Sequence, residues 1–397
     1  MAIPYGLSSA IITVIIPYRM RAAGHPVEEI GLFFSLLMAP AYLQFLYSPI
    51  ADWRYSKRTW IVISAIVCAV CFALPEYWAS RHPYTPLILA IVLLGQIASG
   101  ILMTSVSSLV VLFFTGAARA RAASWEWAGS VLGSLLGAEL ALRPTDGSGT
   151  LSNALCFGLL SILPGLLVLL IKPIKPPPTP STDSRRLLGD ELQHMRQDPR
   201  FWITLLLSIS PSCAAGLMGL FSALAPDFHA SASHVAMANG TVGSLTMVLG
   251  TMLAGCLSLK ADRRTLYVAC SASLSMVATS MAFLPHSSSI YLGGVLIYSF
   301  ICGISYGLFN AMVIELLDGN PRYAATKYSF FLSISNLPVA YVAFIDSRLH
   351  HQFGARSVFL TDALFNIAGI AMWALLWRQL QQRQSAQAPA PAPALAD

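Results

Sequence analysis

The run GLFFSLLMAPAYLQFLYSPIADWRYSKRTW, residues 31–60, joins two opposite kinds of sequence. Its first 20 residues carry no charge, whereas residues 48–60 hold one acid and three bases. An apolar run of about 20 residues is long enough to cross the hydrocarbon core of a bilayer as a helix. The run therefore predicts a membrane helix that ends in a charged loop.

The whole chain has the composition of a membrane protein. Hydrophobic residues make up 56% of it, charged residues 11%, and the mean hydropathy is +0.65. Soluble chains carry about 25% charged residues. Runs this long without alternating polarity form helices and not barrel strands, because each helix bonds its own backbone groups in lipid. The predicted fold is an all-α polytopic membrane protein.

Twelve such apolar spans can be counted, separated by short polar stretches. The first six cover residues 3–18, 30–50, 60–77, 86–113, 124–142 and 151–171, and the second six cover residues 201–224, 236–259, 266–284, 290–317, 328–345 and 357–377. If both termini face the cytoplasm, 18 of the 24 Lys and Arg residues fall on the inner side. The positive-inside rule favours that orientation, in the cytoplasmic or inner cell membrane. The cations are scattered over short loops, so no nucleic-acid partner is expected.

One long polar connection, residues 172–200, divides the spans six and six. We expect an N-terminal bundle over residues 1–171, a C-terminal bundle over residues 201–377, and a disordered tail rich in Pro and Ala over residues 378–397. Within the linker, PPPTP is incompatible with a helix, and a short amphipathic helix is expected to follow it. Neither a metal-ligand spacing nor a cofactor motif is found.

This layout resembles the major facilitator superfamily. That family's loop between helices two and three is similar to G-x-x-x-D-[RK]-x-G-x-[RK]-[RK]. Here Asp52 takes the acid position, while Lys57 and Arg58 follow five and six residues later. Ser48, Trp53 and Tyr55 depart from the pattern, and Arg54 comes one residue late.

The resemblance implies a cytoplasmic gate. A carboxylate at a helix end can meet a cation or a helix N-terminus of the other bundle only while the bundles touch, which would bias alternating access. A solvated loop that obeys the positive-inside rule is the alternative for Asp52. The run ELLDGNPR, residues 315–322, resembles the E-x6-R signature of sugar porters and suggests a second latch. The expected gate residues are Asp52, Arg54, Lys57, Arg58, Arg263, Arg264, Glu315 and Arg322.

Two short runs are similar to the muropeptide permease and acetyl-coenzyme-A transporter branch. They are ATKYSFFLSISNL, residues 325–337, and the apolar run that ends at Asp52. Helix four has Gly, Thr and Ser where the acids of the muropeptide permeases would be expected.

The expected substrate cavity is polar and uncharged. Helices one, four, seven and ten line the cavity in this superfamily, and polar side chains repeat at helical spacing on helices four and ten. Helix–helix hydrogen bonding is the alternative for each of them. The candidates are Gln96, Thr104, Ser107, Tyr298, Tyr306, Asn310, Ser333 and Asn336.

We expect no ionisable residue at mid-depth in any span. Glu139 and Glu126 are the remaining candidates for proton coupling, although Glu139 and Arg143 also have the spacing of an interfacial ion pair. Asp362, one turn inside helix twelve and four residues before Asn366, is interpreted as structural. The glycines of helix five (Gly129, Gly133 and Gly137) and helix eight (Gly243 and Gly250) are predicted to form a sliding contact between the bundles, or ordinary static packing. Pro211 and Pro338 are expected to bend or kink helices seven and eleven.

The sequence therefore predicts a transporter and not an enzyme. A small or medium organic solute, resembling a muropeptide or a siderophore, would be moved by alternating access, and the resemblance implies proton-coupled import by a monomer in the bilayer. An uncoupled facilitator or an exporter of the same fold is the first alternative. A membrane-embedded transferase is the second, and the histidines show no spacing that favours it.

Overall fold

The computed structural model describes residues 1–52, 56–78, 85–113, 116–141, 149–170, 199–258, 261–317 and 324–387. Within these ranges the chain forms helices and turns without any strand, which confirms the all-α prediction. Twelve helical segments follow the twelve predicted spans, and we number them α1 to α12 in chain order, counting interrupted helices as one segment.

The first six segments are α1 (Ile3–Ala10, a π-helical turn at Ile11–Ile15, and Ile16–Ala22), α2 (Val27–Leu37, Ala39–Tyr42, Gln44–Tyr47 and a 3-10 turn at Ser48–Asp52), α3 (Lys57–Trp78), α4 (Pro86–Phe113), α5 (Gly116–Ala141) and α6 (Gly149–Leu166 with a 3-10 turn at Leu167–Leu170). The last six are α7 (Pro199–Ile209, Gly216–Gly219, Phe221–Leu224 and Ala225–Phe228), α8 (Ala232–Val235, a π-helical turn at Ala236–Thr241, and Val242–Leu257), α9 (Arg263–Phe283), α10 (Ser288–Leu317), α11 (Ala324–Phe353) and α12 (Ala355–Gln387).

Nine of the segments in the described ranges are long and apolar enough to cross a membrane by length and composition. The other three are α1, α5 and α7. Among these, α7 is interrupted by the break described below, and α5 contributes a shorter apolar stretch at Gly129–Ala141. The chain is thus a multi-pass membrane protein.

Segment boundaries follow local chemistry. Asp262, with extended backbone, caps α9 by accepting a hydrogen bond from the Thr265 amide at 2.9 Å. Gly24 and Gly354 have φ of +89° and +77° in the turns after α1 and α11, where a residue with a Cβ would be strained. Segment α12 continues to Gln387, ten residues into the predicted disordered tail, because Gln, Leu and Arg are good helix formers.

The packing repeats between the first six and the last six segments. In the first set α3 packs on α4 and α6, and α1 packs on α5; in the second, α9 packs on α10 and α12, and α7 on α11. The largest contacts between the sets join α2 to α11 and α5 to the π-helical turn of α8. These two contacts occupy equivalent positions in the two sets.

The glycine stripes do not form the predicted sliding contact. A Cβ at Gly133 would collide with the Ile3 carbonyl of α1, and one at Gly250 would collide with the Phe300 carbonyl of α10. The stripes therefore pack inside each set of six, and the prediction of a sliding surface was wrong. The contact of α5 with α8 is made instead where Gly240 lies against Ala138.

Candidate functional site

A break in α7 forms the wall of a polar pocket. The helix stops at Ile209 and resumes at Gly216, and Pro211 lies at the start of the interruption. Pro211 was expected to bend or kink the span over residues 201–224, and the structure shows a full break, since proline removes a backbone donor and clashes with the preceding turn. Cys213 and Ala215 adopt the left-handed region, with φ of 54° and 56°.

The pocket is partly open and has a cavity volume of about 20 Å³, room for about one water molecule in this conformation. Its polar lining includes Ser210, Ser212, Tyr306 and Ser335 of α7, α10 and α11, together with Tyr267 of α9. Pro338 of α11 also lines it, and α11 continues through this proline as a helix. All the lining residues belong to the last six segments.

Buried hydrogen bonds hold the break in place. The Cys213 amide donates to Asn366 Oδ1 of α12 at 3.0 Å, and Tyr267 Oη donates to the Ser212 carbonyl at 3.0 Å. Ser212 Oγ donates to Ser271 Oγ at 2.9 Å. Because partners from α9 and α12 satisfy the freed backbone groups, irregular backbone is tolerated here inside a membrane protein.

The predicted cavity residues of α4 bind neighbouring helices. Gln96 Nε2 donates to the Ser8 carbonyl of α1 at 3.1 Å, and Thr104 Oγ1 accepts from Gln44 Nε2 of α2 at 3.1 Å. Ser107 Oγ donates to Glu126 Oε1 of α5. The polar face of α4 thus has the helix–helix bonds of the alternative interpretation, and contact with a substrate stays a prediction.

The candidates on α10 and α11 lie in several places. Tyr306 lines the pocket, whereas Tyr298 is fully buried and donates to Asp362. Asn336 Nδ2 donates to the Leu332 carbonyl at 3.0 Å, and Ser333 Oγ is buried without a hydrogen-bond partner among the described residues. The remaining candidate, Asn310, is half-buried on α10.

The described residues of the predicted gate bind backbone carbonyls. Lys57 Nζ donates to Ala51 at 2.9 Å, Arg58 Nη2 to Leu169 at 2.7 Å, and Arg263 Nη1 to Ala311 at 3.5 Å. Arg264 lies half-buried at the start of α9. Arg54 and Arg322, and the side chains of Asp52 and Glu315, lie outside the described part of the chain. The latch is therefore untested.

The two predicted coupling acids are both on α5. Glu126 is half-buried and accepts the hydrogen bond from Ser107, and Glu139 is half-buried near the other end of the helix. The structure does not test either role.

Sequence reasoning missed an ionic cluster at the end of the molecule opposite Lys57, here called the Arg21 end. Arg21 Nη2 of α1 lies 3.0 Å from Asp227 Oδ1 of α7, and His350 Nε2 of α11 lies 3.1 Å from Asp227 Oδ2. Beside them, Arg348 of α11 lies 3.3 Å from Glu28 of α2. The Arg21–Asp227 and Arg348–Glu28 contacts join the first six segments to the last six, so this end is closed.

The Asp227 carboxyl lies beyond the predicted span 201–224, in a partly buried position. Burial would raise its pKa, but the hydrogen bond from His350 and the positive charge of Arg21 outweigh burial and hold the pKa below the ordinary value of 3.8. Asp227 is thus a carboxylate at neutral pH, and it binds Arg21 of the first six segments and His350 of the last six.

A second ion pair at this end lies within the first six segments. Arg19 of α1 forms a bidentate pair with Glu76 of α3, at 2.8 Å and 2.6 Å, and also donates to the Ala141 carbonyl of α5 at 2.9 Å. One arginine therefore joins the ends of three helices.

Two carboxyl groups near the ends of α11 and α12 are deeply buried, while the expectation of no ionisable residue at mid-depth stays a prediction. Asp346 of α11 is 0% exposed and Asp362 of α12 is 1% exposed. The predicted span over residues 328–345 ended one residue before Asp346, whereas α11 continues to Phe353. The spacing of Asp346 and His350, one helical turn apart, was the signal that could have extended the helix.

The comparisons with known proteins agree with this architecture. The sequence model of the Major Facilitator Superfamily matches residues 1–343 of the 397. The structure is similar to that of a D-xylose-proton symporter, with a TM-score of 0.72 and 13% identity, covering 95% of this chain and 96% of the other. It is also similar to a bacterial homolog of the human lysosomal transporter Spinster in an inward-facing, unoccupied conformation, with a TM-score of 0.73, 14% identity and coverages of 96% and 95%. A nucleoside transporter gives a TM-score of 0.70 at 12% identity, with coverages of 95% and 97%.

At such identities the structural likeness establishes the fold alone, and that fold is the all-α polytopic one predicted from the sequence. The family match covers most of the chain and indicates a transporter and not an enzyme. The chain belongs to the Major Facilitator Superfamily.

Proposed function

We propose that this protein is a secondary transporter that carries a small or medium polar organic solute across the cell membrane by alternating access. The observation that carries the proposal is the pairing of a hydroxyl-lined pocket at the break of α7 with ionic closure at the Arg21 end. The pocket would widen to admit the solute, and the closed Arg21 end would shut that solute off from one side of the membrane. Rearrangement of the α2–α11 and α5–α8 contacts would then expose it to the other side.

The hydrogen-bonding groups that line this pocket are uncharged, so the pocket suits a polar solute. Serine hydroxyls and Tyr306 can donate to and accept from sugars, nucleosides, peptides or amide-rich conjugates. Similar structures include transporters for D-xylose, nucleosides and peptide-like compounds, which supports this range. A muropeptide-like or siderophore-like solute falls within this range. Such a solute would also fit the resemblance to the muropeptide permease and acetyl-coenzyme-A transporter branch.

The finer features of the proposal follow from the sequence. The protein would be a monomer in the inner or cytoplasmic cell membrane. Both termini would lie in the cytoplasm, and the Arg21 end would face outward. The bundles would comprise residues 1–171 and 201–377, with residues 172–200 as linker, and Asp52 would form part of the inner gate. Proton-coupled import is favoured over facilitation because the similar D-xylose protein is a proton symporter.

Transport into sealed proteoliposomes that contain a pH-sensitive dye tests the proposal. Pools of labelled sugars, nucleosides, peptides, muropeptides, siderophores and coenzyme-A esters are offered outside, and liposomes without protein are the control. We expect one pool to enter with acidification of the lumen, and Tyr306→Phe to weaken its uptake. Entry without acidification would identify a facilitator. Failure of every pool to enter would contradict the proposal.

A further inference from the structure

Two carboxyl groups are buried where α11 and α12 pack on each other beside Tyr298 of α10. Asp346 and Asp362 are both almost fully buried, and each lies eight residues from Gly354 in the turn between the helices, so the two lie at one level and their negative charges would repel each other. In the described part of the chain, neither forms an ion pair within 4 Å of a cationic side chain. Buried charges without a counter-ion are strongly disfavoured, so the pair must hold at least one proton.

The two carboxyl groups differ in the hydrogen bonds that they accept. Asp362 accepts from Tyr298 Oη at 3.1 Å and 3.0 Å on its two oxygens, and from Asn366 Nδ2 at 3.3 Å. Both oxygens of Asp346 are buried without a hydrogen-bond donor among the described residues. Donors stabilise an ionised carboxylate, so Asp362 is suited to carry the negative charge and Asp346 the proton.

In the part of the chain that the structure describes, the other titratable groups that face the pair carry no positive charge. On α10 they are Tyr298 and Cys302, both fully buried. The acids and bases at the end of α11 pair with one another instead: Glu28 of α2 with Arg348, and Asp227 of α7 with His350. Two donors already occupy Asp362, which makes the site a poor cage for a metal cation and a better one for a proton.

The pair lies between the Arg21 end and the broken helix. His350, one turn after Asp346 on α11, binds Asp227 in the ionic cluster, so opening of that cluster would bring water to the Asp346 side. On the other side, Asn366 donates to Asp362 and accepts from the Cys213 amide within the break of α7. One side chain therefore connects the charge on Asp362 to the backbone that shapes the pocket.

We propose that Asp346 and Asp362 form an exchangeable proton-binding site, and that Asn366 transmits its protonation to the break in α7. In this scheme a proton enters from the Arg21 end onto Asp346, and its release leaves a second negative charge beside Asp362. Repulsion then pulls on the hydrogen bonds of Asn366 and Cys213. The role of this site in coupling rests on the proposed function, whereas proton binding itself does not.

Infrared difference spectroscopy of the wild-type protein in lipid, titrated from pH about 5 to about 9, tests the site without any solute. A protonated buried carboxyl gives a C=O stretching band that disappears when the proton leaves. We expect this band to be lost as pH rises, to be absent in Asp346→Asn, and to be altered in Asp362→Asn. Asp262→Asn, a change at an exposed helix cap, serves as the matched control and should leave the band unchanged.

A second variant covers the case in which the Asn variants do not fold. Tyr298→Phe removes a donor to Asp362 and makes that carboxylate the stronger base, so the proton should move toward Asp362 and the band should shift in frequency. A wild-type band that does not titrate would overturn the proposal. So would a band that is unchanged in every folded variant, or one that added Na⁺ displaces at constant pH.

Coupling of proton binding to solute transport can be measured separately once a solute is known. Asp346→Asn should retain exchange of labelled solute across the membrane but lose uphill uptake driven by a pH gradient. If the band titrates as expected while no solute pool enters wild-type vesicles, the proposed function fails and the proton site stands. If solute enters with acidification and the band belongs to other residues, the proton site fails alone.

Discussion

At the scale of residues, Asp227 is the acid on which closure of the Arg21 end depends most. It binds Arg21 and His350 from opposite sets of six segments. Hydrogen bonds to a charged group contribute about 1.5–3 kcal/mol each. We predict that Asp227→Asn raises the rate at which a maleimide labels Ser222→Cys, a fully buried site behind the cluster, by about tenfold. The background would have Cys156 and Cys256 replaced by Ser, and an unchanged rate would contradict the role of Asp227.

The pKa of Asp227 gives this closure a pH window. Because the pKa in the folded protein is held below 3.8, the carboxylate stabilises the closed state fully above that pH, and the contribution is lost as pH falls through the lowered pKa. Opening of this end, followed as the distance between spin labels at the exposed positions Ala23 and Ser233, should therefore not change on account of Asp227 between pH about 6 and about 8 and should rise only in strong acid. In Asp227→Asn the acid-dependent rise should disappear. A rise near neutral pH that Asp227→Asn abolishes would contradict this assignment.

Glu76 is the residue whose loss should cost most stability at the same end. Its side chain is 6% exposed and pairs with Arg19, which is 26% exposed. Breaking a buried pair leaves an uncompensated charge, and because Arg19 is partly solvated we expect Glu76→Gln to destabilise the protein by about 2 kcal/mol. Glu28→Gln, in a more exposed pair, is the control and should change stability by less than about 1 kcal/mol. Thermal unfolding in detergent would measure both changes. Equal losses of stability would contradict the claim that the buried Arg19–Glu76 pair stabilises the protein more than the exposed pair.

At the scale of elements, α7 stores strain in its break. Ala215 has a φ of 56°, which is unfavourable for any residue with a Cβ by about 1–2 kcal/mol. Ala215→Gly should relieve this strain and, after the added entropy of an unfolded glycine, stabilise the broken form by about 0.5–1 kcal/mol. The neighbouring Ala214→Gly gains no such relief and should destabilise by a similar amount. If α7 becomes a continuous helix during transport, Ala215→Gly should also slow uptake. Thermal unfolding and uptake assays of both variants measure these effects. Equal changes in stability for the two variants would show that the strain at Ala215 is absent.

At the scale of the whole molecule, the sequence predicted the membrane character, the segment order and the family, because each depends on long runs of residue type. It did not predict contacts that join distant segments. Arg21 and Asp227 are 206 residues apart and only the packing of α1 on α7 brings them together. Asp346 was missed because the span was ended at the first charged residue, although helix ends can bury a charge when a neighbouring helix covers it. The glycines of α5 were predicted to contact α8 but pack on α1, since a stripe of small residues indicates close packing and does not identify the helix that it contacts.

The central claim is that the two sets of six segments rock against each other about the pocket. Spin labels at Ala23 and Ser233 report on the Arg21 end, and labels at Leu170 and Ala261 report on the Lys57 end; all four positions are exposed. Distances between the labels in each pair, measured by pulsed electron resonance in lipid, test the claim most directly. We predict that Asp227→Asn lengthens the Ala23–Ser233 distance and shortens the Leu170–Ala261 distance together. If both ends open at once, or if only one end changes, alternating access in this protein is contradicted.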